Sequence, residues 1–71
     1  MFRFNRKKIL PLFLQKRITI AELARLADVA HGSAAKAVQG ENVAAPIITK
    51  IAEALGIEPY DFLEPNYRKN F

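Results

Sequence analysis

His31, Ser33 and Lys36 stand close together and are the residues whose types could do chemistry. A serine beside a histidine can act as a nucleophile with its base. Here the two are separated by Gly32 alone, and on a helix positions i and i+2 do not face each other. No orienting acid or oxyanion loop accompanies them. A metal centre needs three or four ligands, and His31 is the sole histidine of a chain without cysteine. The acids Glu41, Glu53, Glu58, Asp61 and Glu64 do not follow a metal-loop spacing. Hydrogen bonding to a partner remains: lysine, serine and histidine all address the acceptors of base edges and phosphates. The expectation is a binding protein and not an enzyme, with no metal and no cofactor.

The charge pattern is compatible with a polyanionic partner. Residues 1–17 carry Arg3, Arg6, Lys7, Lys8, Lys16 and Arg17 with no acid, whereas residues 41–64 carry the five acids above against Lys50. The net charge is +4, so one end of the chain suits a polyanion and the other does not. A basic run is more often a plain solvated face, so charge alone does not decide for nucleic acid. The apolar run at residues 9–14 contains Pro11 and is too short for a signal peptide, which needs about 7–15 apolar residues, or for a membrane span of about 20. A soluble cytoplasmic protein is expected, and the absence of cysteine fits a reducing compartment.

The elements that must position these residues read as helices. With 71 residues, 51% of them apolar, the chain has material for one small core and one domain. Asn5 is a fitting N-cap for a first helix over residues 6–16, with Ile9, Leu12, Phe13 and Lys16 on one face. Pro11 interrupts that pattern, so the helix kinks there or starts near Leu10. Thr19 followed by Glu22 forms a capping box before Leu23, Ala24 and Ala27. Asp28, Val29 and Ala30 are a tight turn, and a third helix follows over residues 31–39 with Ala34, Ala37 and Val38 inward, stopped by Gly40. A fourth helix starts at Pro46, buries Ile48, Ile51, Ala52 and Leu55, and ends at Gly56. Pro59 opens a short fifth helix with Phe62 and Leu63 inward, and residues 65–71 are a frayed tail. Phe2, Phe4 and Phe71 fall outside this helical core of residues 6–64, and packing against each other or across a dimer would bury them.

Two short helices joined by a three- or four-residue turn make a helix-turn-helix, whose second helix enters the DNA major groove while the first crosses the backbone. Ala24, Ala27, Ala34 and Ala37 are the small residues that a close helix pair requires. The segment 19–30, TIAELARLADVA, resembles the phage repressor and Cro-like helix-turn-helix family, as do Lys36-Ala37-Val38-Gln39-Gly40 and the later Ile51-Ala52-Glu53-Ala54-Leu55-Gly56-Ile57. The resemblance covers residues 6–64. It implies an all-α, lambda repressor-like bundle of about five short helices, a homodimer, double-stranded DNA as partner and a palindromic operator; the leading reading is a dimeric regulator, with a phage or other mobile element as one source it would fit. It makes His31, Gly32, Ser33 and Lys36 the base-reading residues of the recognition helix, and Thr19 and Gln39 phosphate contacts. The basic charge adds Arg6, Lys7 and Lys8 as phosphate contacts.

The chain departs from the family pattern at several points. Ile20 stands where glutamine is usual after Thr19, Asp28 replaces the usual turn glycine, Ala30 replaces the usual Ser or Thr cap, and Gly32 replaces a long polar side chain. A recognition helix so poor in base-reading groups leaves room for thymine-methyl contacts, water or DNA shape. Tyr60, Tyr67 and Phe71, in the acidic C-terminal part, are the expected dimer anchors. The competing reading is an antitoxin-like module that neutralises a protein partner and binds DNA as well. A membrane-active peptide is the third reading, and the five-helix pattern disfavours it.

Overall fold

A computed structural model describes residues 1–68. Phe71 therefore lies outside the described residues. The chain is all-α, with α1 (Arg6–Gln15), α2 (Ile20–Ala27), α3 (His31–Val38), α4 (Ala45–Leu55) and two single turns, α5 (Pro59–Phe62) and α6 (Pro65–Arg68). The sixth turn falls in the segment expected to be a frayed tail.

Each main helix starts and stops for local reasons. At α1 the Oδ1 of Asn5 accepts the amide of Lys7 at 3.0 Å. Pro11 does not delay the start of the helix: α1 begins at Arg6 and runs through it. Proline lacks an amide for the carbonyl four residues back. That carbonyl belongs to Lys7, and both residues are exposed, so water can replace the missing donor. Ile9 and Phe13 are buried, Leu12 is half-buried, and Lys16 is exposed instead of inward.

The capping box of α2 is complete. Thr19 Oγ1 accepts the Glu22 amide at 3.0 Å, and Glu22 Oε1 accepts the Thr19 amide at 3.4 Å. We expect Thr19→Ala to lower stability by about 0.5–2 kcal/mol, since one N-terminal amide loses its acceptor. Thermal melting followed by circular dichroism checks this; an unchanged midpoint would mean that solvent serves the amide equally well.

Three helices close with the same bond. After α2, α3 and α4 a residue in the left-handed region (Asp28, φ 57°; Gly40, φ 76°; Gly56, φ 70°) turns the chain back. The next amide then reaches five residues back: Val29 to Ala24, Glu41 to Lys36, and Ile57 to Ala52, at 2.9–3.0 Å. Gln39 is the C-cap of α3, one position beyond its last helical residue. Ala45, not Pro46, is the first residue of α4, with the proline just inside.

The helices converge on one core. Leu23, Ala24 and Ala27 of α2 and Ala34, Ala37 and Val38 of α3 are buried with Ile48, Ile51, Ala52 and Leu55 of α4 and with Leu63. Alanines at the facing positions let α2 and α3 approach closely. Phe4 is a correction to the helical-core boundary: it is wholly buried within the core of its own chain. Residues 2–5 run as an extended strap that explains how. Phe2 and Val43 exchange amide–carbonyl bonds at 2.8 Å, the Asn5 amide donates to the Phe62 carbonyl at 2.7 Å, and the Glu64 amide donates to the Arg3 carbonyl at 3.1 Å. The strap thus ties the loop before α4 to the chain around α5 and drops the Phe4 ring between them. No helix among the described residues is long and apolar enough to cross a membrane.

Candidate nucleic-acid interface

α2, the turn at residues 28–30 and α3 form the helix-turn-helix. Asp28 makes the turn possible by adopting φ 57°, ψ 51°, a region that aspartate visits more readily than most residues because its short side chain can bond locally. Ala30 starts α3 without a side-chain cap, so the first amides of the helix depend on water or a ligand.

The buried residues of α3, Ala34, Ala37 and Val38, fix which face looks outward. His31, Gly32, Lys36 and Gln39 are exposed, and Ser33 and Ala35 are half-buried. Gly32, Ala35, Lys36 and Gln39 share one stripe at i, i+3, i+4 and i+7. That stripe is bare in its first turn, because a Cβ at Gly32 would meet nothing within 4 Å. Lys36 is its only charged side chain.

The expected phosphate residues are placed unevenly. Thr19 sits at the start of α2 with its hydroxyl accepting from Glu22. Arg6 lies at the far end of α3: its Cβ would stand 2.9 Å from a Cβ at Gly40, one residue beyond Gln39. The start of α1 is therefore packed against Gly40, the residue that follows Gln39. Lys7 is exposed on the first turn of α1. Lys8 is turned elsewhere, with Nζ donating to the Asp61 carbonyl at 3.1 Å. That bond places the Lys8 ammonium against α5. Ile20, the departure from the usual glutamine, is half-buried and packs on the core. The substitution thus exchanges a polar surface group for packing.

The aromatic residues of the C-terminal part divide. Tyr60 is half exposed. Tyr67 packs within its own chain: its ring meets Phe2 edge-on at 6.2 Å between centroids, and the Arg3 guanidinium lies 5.7 Å from its centroid. The strap is therefore clasped by α6 as well. Two basic residues outside the expected site share its surroundings. Arg17 precedes Thr19 by two positions, and Arg25 is exposed on α2. Charge was their only signal in the sequence.

A helix-turn-helix with a solvent-facing second helix and a basic N-terminal region defines a class of DNA-binding regulators. Residues 8–67 match the Cro/C1-type helix-turn-helix DNA-binding domain, and the chain belongs to that family. No curated protein and no solved structure gave a significant match. Membership supports a DNA-binding transcriptional regulator, a kind of protein that does not work as an enzyme.

Proposed function

We propose that the chain is a cytoplasmic repressor that binds a palindromic operator as a homodimer, with α3 in the major groove. The observation that carries this reading is the outward stripe of α3, where Lys36 stands over a turn left bare by Gly32. A bare first turn lets backbone approach base edges closely, and Lys36 then reaches the guanine O6 and N7 acceptors. His31 and Ser33 supply further donors at the groove entrance. Thr19, Gln39, Arg6 and Lys7 hold phosphates and set the register, as most contacts to phosphate do. Lys8 contributes field more than contact, given its bond to Asp61.

One recognition helix reads only a few base pairs, which is too little to find one site in a genome. Two chains related by a two-fold axis place their helices in successive major grooves, with half-site centres about 10 base pairs apart. Tyr60 anchors the proposed dimer surface on the acidic side, which carries the wrong charge to face DNA. Tyr67 serves this surface from behind, through its packing on Phe2 and Arg3.

Selecting bound sites from random duplex DNA tests the reading. A two-fold symmetric site bound by two chains is the expected result; failure to enrich any sequence would remove it. On the selected site, Lys36→Ala should relax the preference at one position per half-site and weaken binding by about 1–3 kcal/mol. An equal loss of affinity for every sequence would reassign Lys36 to phosphate.

A further inference from the structure

The turn between α1 and α2 contains a residue in an unfavourable conformation. Arg17 has φ 57°, in the left-handed region. Among the described residues, the others in that region are Asp28, Gly40 and Gly56, which are types that tolerate it. Arginine has no such excuse, because its Cβ crowds the following carbonyl and its side chain cannot form a short local bond.

The turn also lacks the compensation seen elsewhere. Asp28, Gly40 and Gly56 are each followed by an amide that bonds five residues back. Among the described residues, the Ile18 amide makes no such bond to Phe13, and the Arg17 amide reaches only the Leu14 carbonyl, at 3.2 Å. The Arg17 side chain is exposed, and its guanidinium has no hydrogen bond or ion pair among the described residues. A glycine would make the same turn without strain. Strain that the fold does not require points to a task outside the fold.

Position supplies the task. Arg17 stands two residues before the first residue of the capping box, at the entry to the helix that crosses the DNA backbone in this motif. We propose that Arg17 grips a backbone phosphate of duplex DNA, and that the strained turn aims its guanidinium there. This rests on the DNA-binding reading above. The planar fork of arginine suits a phosphate, and a contact made at the backbone is indifferent to base sequence.

Arg17→Gly separates the two demands on the residue. Its melting temperature should not fall, because the strain is relieved, while its affinity for random-sequence duplex should drop. The slope of log affinity against log salt should shrink by about 1. Arg17→Lys, which keeps the charge, should keep the slope. Lys50→Gln removes an equal charge from α4 and should leave the slope at the wild-type value. Wild-type slope and affinity in Arg17→Gly would overturn the contact while leaving the DNA-binding reading intact. An equal fall in slope for Lys50→Gln would also overturn it, since the effect would then be one of net charge. Absence of any duplex binding by the wild-type chain would overturn the DNA-binding reading and the contact with it.

Discussion

Phe4→Ala is expected to lower the melting temperature by about 12–40 °C. The ring is completely buried, although it comes from a five-residue segment without helical structure. Truncating a buried phenylalanine removes its transfer free energy and leaves a cavity, together about 3–5 kcal/mol. Each kcal/mol moves the midpoint by roughly 4–8 °C in a domain of this size. The surroundings are poorly able to collapse into the space. The Phe4 backbone is held on both sides, by the Phe2–Val43 pair and by the bonds from Asn5 to Phe62 and from Glu64 to Arg3. A domain this small has a total stability near the low end of about 5–15 kcal/mol, so the loss is a large share of it. Circular dichroism melts of wild type, Phe4→Leu and Phe4→Ala give the check. Phe4→Leu, which keeps most of the volume, should fall between the other two. A shift of under 5 °C for Phe4→Ala would mean that the strap is an ornament of the fold and not part of its core.

The strap was the least legible part of the fold, and the reason is physical. Helix signals are local: Thr19 with Glu22, Gly40, Gly56 and Pro46 announce the ends of α2, α3 and α4 within a few residues of where they act. The inward residues of those helices repeat at helical spacing, so spacing alone assigns Leu23, Ala34, Ile48 and Leu55 to the core in which they are buried. Residues 2–5 have no periodicity to read. Their partners, Val43 and Leu63, are remote in sequence, and nothing local specifies that pairing. Pro11 misled in the opposite direction: its local penalty is real, but an exposed position and the packing of Ile9 and Phe13 outweigh it.

The candidate interface was legible in residue type and not in engagement. The outward face of α3 followed directly from its buried alanines. Whether a basic residue near it is available did not follow, because that depends on where a long side chain is anchored. Lys8 bonds the Asp61 carbonyl, and Arg6 abuts Gly40. Tyr67, an aromatic residue of the sort common at interfaces, proves to clasp Phe2 and Arg3 of its own chain. Arg17 shows the limit most clearly, since its left-handed backbone is invisible in composition or spacing.

Gly40→Ala is expected to destabilise the chain by about 2–5 kcal/mol and to disturb the end of α3 as well. Two effects combine. A Cβ at φ 76° carries the left-handed penalty of roughly 1–2 kcal/mol. That Cβ would also lie 2.9 Å from the Arg6 Cβ, 3.2 Å from the Phe4 carbonyl oxygen and 3.3 Å from the Arg6 amide nitrogen. None of these atoms can rotate away, so the strap and the start of α1 must shift, and overpacking of this kind costs about 1–3 kcal/mol. The shift would move Arg6, which is proposed to hold phosphate. Gly56→Ala isolates the first effect, for Gly56 has φ 70° but nothing within 4 Å of its added Cβ. The difference between the two variants therefore measures the close approach of the strap to α3. Urea unfolding of both, with duplex affinity measured at temperatures where each remains folded, should show Gly40→Ala to be the less stable and the weaker binder. Equal midpoints for Gly40→Ala and Gly56→Ala would mean that the strap yields freely, and that its contact with the end of α3 does not hold the interface in place.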